Sequence, residues 1–110
     1  AEKLGLAADR FFEIASKSSG QCWSLTTYSP WPGVGPKTAS DRNYEGGFAT
    51  AMMLKDLKLA QAAAAAAGAS TPLGAQAEAI YALFDRLGFG AKDFSGVQQL
   101  LRGDLQKLKG

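Results

Sequence analysis

The chain has 110 residues, of which 46% are hydrophobic and 20% charged, a composition typical of one globular domain. Its net charge of +2 is too small to favour nucleic acid or a membrane surface as a partner. The absence of histidine and the single cysteine, Cys22, exclude a disulfide framework, a cysteine-based metal site and histidine-dependent catalysis. The sequence has no uncharged apolar run long enough to span a membrane. Any chemistry must therefore use lysine, carboxylate, aromatic and backbone groups.

The first part of the chain predicts short helices and one long loop. Residues 1–4 form helix readily and stop at Gly5, as at a helix C-terminus, so we expect the sequence to begin inside a longer chain. Residues 7–17 predict a helix, and residues 21–28 predict one or two helical turns. Prolines exclude helix from the start of the next stretch, which gives a loop of about 17 residues up to residue 45. Its aromatic residues, Trp31 and Tyr44, favour an ordered loop.

A long helix over residues 48–67 is the central prediction. Gly46 and Gly47 precede it, and no proline or glycine then interrupts it before Gly68, which gives about five turns. Because apolar residues line more than one side, we expect this helix to be buried. Its run of six alanines has two interpretations that stay open. One is high helix propensity, and the other is a small surface that a neighbouring helix can approach closely.

The remaining residues predict two more helices. Thr71 and Pro72 are typical of an N-cap followed by a first-turn proline, and the apolar stripe that follows reaches Gly88. Asp93 is the expected N-cap of a last core-facing helix, after which the polar end, residues 102–110, is expected to fray. No alternating run predicts a strand. The expected fold is an all-α bundle of about five or six helices around the helix over residues 48–67.

Lys55 and Asp56 are the residues that a buried helix does not explain. A buried lysine must be paired or must reach a solvent-filled site, and a structural pair or a lysine that extends to solvent is the commoner outcome. Aromatic residues such as Trp23 and Tyr28 more often pack in cores than bind ligands. Gly46 and Gly47 at a helix N-terminus could receive an anion, although two glycines alone are a weak signal. The chain has no dinucleotide fingerprint and no phosphate-binding loop.

The order of several short blocks resembles the C-terminal half of enzymes in the β-hydroxyacid dehydrogenase family, which is related to 6-phosphogluconate dehydrogenase. The Gly-Gly-Phe and Lys-Asp-Leu blocks are typical of the whole family. The Trp-Pro-Gly-Val loop and the Ser-Ser-Gly-x-x-Trp block resemble its 3-hydroxyisobutyrate branch. The similarity covers residues 1–102, in the blocks Ser18–Ser24, Tyr28–Val34, Tyr44–Phe48, Met53–Ala60, Thr71–Gly74 and Lys92–Ser95.

The resemblance implies half of an active site. Family members carry an N-terminal Rossmann domain, then a linking helix with the catalytic lysine, then an all-helical domain that covers the cleft. Residues 1–110 would be that helical domain without its Rossmann domain, and the catalytic lysine would lie upstream. By resemblance, Lys55 reaches the nicotinamide cofactor and Phe48 lies near it, while Trp23, Tyr28 and Asp56 border the substrate pocket. No metal is implied.

The implied reaction is oxidation of 3-hydroxyisobutyrate to methylmalonate semialdehyde in valine catabolism, with NAD or NADP. We expect these 110 residues alone to be inactive and to carry no cofactor. Expected partners are the small hydroxy acid, the chain's own Rossmann domain and further copies in a homo-oligomer, in a bacterial cytoplasm or a mitochondrial matrix. The alternatives are a related enzyme such as tartronate semialdehyde reductase, or a helical interaction module without catalysis.

Overall fold

The computed structural model describes residues 1–109, and within that range it is helical with no strand. This confirms the all-α prediction. Shorter helical turns connect the helices, and an isolated antiparallel bridge joins Ala49 to Asp93. The five α-helices are α1 (Ala8–Ala15), α2 (Trp23–Thr27), α3 (Thr50–Ala67), α4 (Pro72–Phe84) and α5 (Val97–Arg102). The turns are 3-10 helices at Glu2–Leu4, Ala39–Arg42, Phe94–Gly96 and Leu105–Leu108, and a π-helical turn at Asp85–Phe89.

Helices α3 and α4 form a hairpin, and α3 is not the buried centre of the fold. The left-handed backbone of Gly68, with φ of 68°, ends α3 as predicted. Only Thr50 and Leu54 are buried in α3, whereas Met52 and Leu59 are 44% and 62% exposed. The prediction of a buried helix over residues 48–67 is therefore wrong for this chain. Helix α4 and the turns at Asp85–Phe89 and Phe94–Gly96 contact α3, and most residues of α3 remain exposed within residues 1–109.

The core lies where the loop before α3 meets the C-terminal third. Tyr44, Phe84, Phe89 and Leu108 are buried together, and the rings of Phe84 and Phe89 stack at 5.2 Å between centroids. Stacked rings gain both area burial and a favourable ring geometry. The expected fraying of the C-terminus is wrong at Leu108, because that side chain is only 3% exposed and belongs to the core.

The loop between α2 and α3 is ordered, as Trp31 and Tyr44 suggested, but it is not without helical structure. It contains the 3-10 helix Ala39–Arg42, whose N-terminus is capped by a capping box between Thr38 and Asp41. The Tyr44 hydroxyl donates a hydrogen bond to the carbonyl of Pro30 at 2.8 Å and accepts one from the Gln99 amide at 3.1 Å. These bonds tie the loop to α5 and fix the segment that leads into α3.

The molecule is less compact than a self-contained domain of its size. The Cα radius of gyration is 15.0 Å, against about 13 Å for a compact chain of roughly this length. Its accessible surface is 6900 Å2, whereas a compact monomer of this mass exposes roughly 5800 Å2. Apolar residues account for part of the difference, since Phe11 and Ile14 on α1 are 46% and 61% exposed. Within residues 1–109, no helix is both long and apolar enough to cross a membrane.

Candidate functional site

Four aromatic side chains form a continuous row, which we call the aromatic row: Trp23, Tyr28, Phe94 and Phe48. The centroids of the Trp23 and Tyr28 rings are 6.3 Å apart and those of Tyr28 and Phe94 are 5.4 Å apart, both in stacked geometry. Phe48 meets Phe94 edge to face at 6.0 Å. The row joins α2, the turn before α3 and the turn before α5. The predicted site residues Trp23, Tyr28 and Phe48 are thus connected through Phe94.

The row stays partly open to solvent. Trp23 is 67% exposed and Phe48 is 36% exposed, so each leaves ring surface free for a ligand. A groove of about 400 Å3 lies beside Tyr28 and Phe94, and its lining is mainly apolar. An apolar wall with few polar groups is typical of small-molecule sites. The groove is lined by Ser24, Leu25, Tyr28, Pro30, Tyr81, Phe94, Ser95, Val97, Gln98 and Leu101.

Asp93 holds the middle of the row from behind. Its side chain is fully buried, and its Oδ1 accepts hydrogen bonds from the Tyr28 hydroxyl at 2.6 Å and from the Phe48 backbone N–H at 2.8 Å. Its Oδ2 accepts from the backbone N–H of Ser95 at 3.1 Å and from the Ser95 hydroxyl. The predicted N-cap role of Asp93 is confirmed, and the carboxylate also bonds two predicted site residues.

Burial and the neighbouring carboxylate set the acidity of Tyr28. Desolvation is the main cause that raises the pKa of the Tyr28 phenol above its ordinary value, and the hydrogen bond to Asp93 adds to it. The nearby positive charge of Arg42 acts in the opposite direction. The Tyr28 hydroxyl therefore keeps its proton at neutral pH and donates a hydrogen bond to Asp93.

The turn at Gly46 and Gly47, before α3, brings Phe48 into the aromatic row. The N-terminus of α3 that follows this turn does not leave its first N–H groups free for an anion. Gly46 and Gly47 both have positive φ, which glycine adopts without the steric cost that other residues incur. The first backbone N–H groups of α3 are already bonded, from Thr50 to the carbonyl of Lys92 at 2.8 Å and from Ala51 to that of Gly90 at 3.0 Å. The suggestion that this helix N-terminus receives an anion therefore finds no support.

Lys55 and Asp56 lie in the second turn of α3 and are exposed. Within residues 1–109, neither side chain makes a hydrogen bond or an ion pair with another group. The expectation of a buried lysine is wrong here, because α3 itself is largely uncovered. Lys55 and Asp56 lie near the N-terminal end of α3, which follows Phe48 in the chain. Because both side chains are exposed, they can contact a ligand or another part of a larger protein. The structure does not bring them into contact with the aromatic row.

The sequence pointed to Phe94 and Asp93 only in part. Phe94 was expected in a core-facing stripe, and Asp93 was expected as an N-cap. Their block, Lys92–Ser95, resembled the family pattern, which was the available signal. The contact between Tyr28 and Asp93 joins residues 65 positions apart, and no local pattern in the sequence predicts such a pairing.

Comparisons with known proteins find relatives of this chain among dehydrogenases. The family described as NAD-binding of NADP-dependent 3-hydroxyisobutyrate dehydrogenase matches residues 1–101. An NAD-dependent L-serine dehydrogenase of Pseudomonas aeruginosa is 47% identical over 96 residues, which are 87% of this chain and 32% of that protein. A mitochondrial 3-hydroxyisobutyrate dehydrogenase of Bos taurus is 46% identical over 100 residues, which are 91% of this chain and 30% of that protein.

A solved structure shows the same fold. The 3-hydroxyisobutyrate dehydrogenase of Mycobacterium tuberculosis, determined with L-serine, has a TM-score of 0.87 and 44% identity to this chain. The match covers 93% of this chain and 35% of that one. The chain thus spans about a third of the length of the relatives that it matches.

Proposed function

This chain belongs to the family described as NAD-binding of NADP-dependent 3-hydroxyisobutyrate dehydrogenase, and on that premise we propose that it is the C-terminal helical domain of such an enzyme. It caps the cleft over substrate and nicotinamide cofactor, which a Rossmann domain outside residues 1–110 binds. The observation that carries the proposal is the aromatic row, because it joins three residues that the resemblance assigns to the site.

In the proposed reaction, a primary alcohol of a small acid becomes an aldehyde. When bound, a nicotinamide cofactor would supply the acceptor for the hydride of the hydroxyl-bearing carbon, and a lysine outside this chain would take the hydroxyl proton. The residues of this chain orient the substrate and exclude water. Trp23 and Tyr28 supply an apolar wall beside the substrate, and Asp56 supplies a carboxylate at its edge.

Two exposed side chains of this domain suit the cofactor side of the cleft. Phe48 presents ring surface that can pack against the nicotinamide, and Lys55 presents a positive charge that can approach the polar or phosphate groups of the cofactor. The family description names an NADP-dependent enzyme, and one relative is named as NAD-dependent. We propose NAD or NADP as the cofactor, since the choice is read in the dinucleotide-binding domain.

The substrate class is a 3-hydroxy acid with a short carbon chain. Relatives are named for 3-hydroxyisobutyrate and for L-serine, which share the hydroxymethyl and carboxylate groups and differ in a methyl or an ammonium substituent. We propose 3-hydroxyisobutyrate as the substrate, with methylmalonate semialdehyde as product and valine catabolism as the setting. L-Serine and tartronate semialdehyde are the competing substrates to assay.

The exposed apolar surface of α3 and α4 supports the proposal that this chain is part of a larger assembly. Leu59, Leu73 and Leu83 on α3 and α4 are 62%, 79% and 50% exposed, and exposed apolar surface of this kind tends to be buried by a partner. We propose that the Rossmann domain and a second subunit cover it in a homo-oligomer. The proposed location is a bacterial cytoplasm or a mitochondrial matrix, as in the relatives named mitochondrial.

The test is an assay of the complete enzyme against this chain alone. The protein of the parent reading frame is expected to reduce NAD or NADP with 3-hydroxyisobutyrate or L-serine, whereas residues 1–110 alone are expected to have no activity. Calorimetry should find that the isolated chain binds the cofactor more weakly than micromolar. A parent protein that has no dinucleotide-binding domain and no turnover would favour the non-catalytic interaction module. Tight cofactor binding by the isolated chain would contradict the proposal that a separate Rossmann domain binds the cofactor.

A further inference from the structure

We propose that Asp93 is a positioning residue that fastens Tyr28 and Phe48 into one rigid unit, so that the Tyr28 ring rather than its hydroxyl is presented to the substrate. This inference rests on the proposed function. It adds a residue to the site and assigns to Tyr28 a role that excludes proton transfer.

The hydrogen bonds of Asp93 divide between its two oxygens. Oδ2 caps the turn Phe94–Gly96 through Ser95, which is the task of an N-cap aspartate. That task leaves Oδ1 unused. Oδ1 instead bonds the hydroxyl of Tyr28 and the backbone N–H of Phe48, at 2.6 Å and 2.8 Å. One oxygen therefore joins the candidate substrate side to the candidate cofactor side.

The burial of Asp93 indicates more than capping. Its side chain is fully buried, and within residues 1–109 it has no ion pair, so hydrogen-bond donors alone must balance its charge. Removing a carboxylate from water costs several kcal/mol unless such donors surround it. A capping aspartate on the surface would avoid this cost. The buried arrangement is explained if a rigid link between Tyr28 and Phe48 is what the site requires.

Gly47 closes the same arrangement from the other side. A Cβ at Gly47 would approach the Tyr28 hydroxyl oxygen at 2.7 Å and would collide with Oδ1 of Asp93. The hydroxyl is therefore enclosed between the carboxylate and the glycine backbone. Its O–H donates a hydrogen bond to Asp93, and the ring of Tyr28, which continues the aromatic row, is the part of the side chain offered to a ligand.

The charged and titratable groups around this pair are few. Asp93 and Arg42 act on the Tyr28 phenol, and Asp93 also raises the pKa of Tyr44 and of Tyr81. Loss of the Asp93 charge should therefore lower the pKa of all three phenols. The change should be largest at Tyr28, which alone donates a hydrogen bond to the carboxylate.

The first experiment uses this chain and does not depend on the proposed function. The chain has three tyrosines, so ultraviolet difference titrations of Tyr28→Phe, Tyr44→Phe and Tyr81→Phe assign each ionisation. Asp93→Asn is expected to move the Tyr28 ionisation to lower pH by more than it moves the other two. An unchanged Tyr28 titration would overturn the link between Asp93 and Tyr28, whether or not the enzyme is a dehydrogenase.

The second experiment uses the complete enzyme and the pair Gly47→Ala and Gly46→Ala. Both glycines have positive φ, but a Cβ at Gly46 meets only the Arg42 side chain, at 3.6 Å, so the variants share backbone strain and differ in the collision with Asp93 and Tyr28. Gly47→Ala is expected to lower kcat/KM on the order of 100-fold, and Gly46→Ala much less. Equal losses in the two variants would contradict the proposal.

The pH profile separates positioning from catalysis. Tyr28→Phe keeps the ring but loses the hydrogen bond to Asp93. Its kcat/KM should therefore fall, while both limbs of the pH profile stay unchanged because no proton transfer is lost. Loss of a limb in Tyr28→Phe would show that the hydroxyl transfers a proton, which overturns the proposal. A wild-type enzyme without turnover would defeat the proposed function instead, while the titration of the isolated chain would still decide the Asp93 pairing.

Discussion

The two ends of helix α3 are held in different ways. At its N-terminus, Thr50 and Leu54 are buried, and backbone hydrogen bonds from Thr50 and Ala51 reach the segment before α5. Its C-terminal half is a run of alanines that is mostly exposed, and α4 is the element with the most contacts to α3. One uninterrupted helical pattern can therefore combine an anchored end, which positions a site, with an exposed end that high helix propensity favours.

The largest difference between a packed and an uncovered position should appear at Phe84. This side chain is fully buried in the core against Phe89, so Phe84→Ala is expected to lower the free energy of unfolding by about 3–5 kcal/mol. The control Leu59→Ala, at a position on α3 that is 62% exposed, should cost no more than about 0.5 kcal/mol. Urea denaturation measures both, and similar costs would show that the two regions are packed alike.

The alanine half of α3 is tested by Ala63→Gly. Ala63 is exposed, so the substitution should cost only the difference in helix propensity, about 1 kcal/mol. The measurement is chemical denaturation at several protein concentrations. A cost of several kcal/mol, or one that depends on concentration, would mean that the alanine surface packs against a second copy of the chain.

Alkaline pH should weaken the packed region. The pKa of Tyr81 is raised to about 12 from an ordinary value of 10.0, mainly because burial disfavours the phenolate, and the pKa values of Tyr28 and Tyr44 are raised too. A raised pKa in the folded state stabilises the fold below pH 10.0 and loses that contribution as pH rises through the folded value. Unfolding free energy should thus fall between pH 10.0 and about 12, and Tyr81→Phe should reduce the fall. An identical pH dependence in Tyr81→Phe would contradict this assignment.

Local signals predicted the helices, whereas long-range contacts decided their burial. Glycine and proline mark the end of α3 at Gly68 and the start of α4 at Pro72, because each acts through its own backbone conformation. The bond between Gln99 and Tyr44 spans 55 positions, and no periodicity specifies it. The core therefore lies between the loop before α3 and the C-terminal third of the chain, and α3 is only partly buried.

The candidate site shows the same division. Resemblance named Trp23, Tyr28 and Phe48, and the aromatic row joins them. It did not identify Asp93 as the carboxylate behind the row, because an aspartate before a helical turn is fully explained by capping. Lys55 was expected to be buried because the pattern of α3 is apolar on several sides, and it is exposed because those sides have no cover within residues 1–109.

The proposed role of the exposed Lys55 at the active site of a larger dehydrogenase is tested by Lys55→Ala in the complete enzyme. Lys58, also exposed on α3, provides the matched control Lys58→Ala. Since Lys55 makes no ion pair within residues 1–109, its removal should change the free energy of unfolding by no more than about 0.5 kcal/mol. We expect Lys55→Ala to lower kcat/KM by an amount that corresponds to about 2–4 kcal/mol of lost transition-state stabilisation, with weaker cofactor binding, and Lys58→Ala to change kcat/KM little. A collapse of the melting temperature in Lys55→Ala, or normal melting with wild-type kinetics, would contradict the proposed role of Lys55.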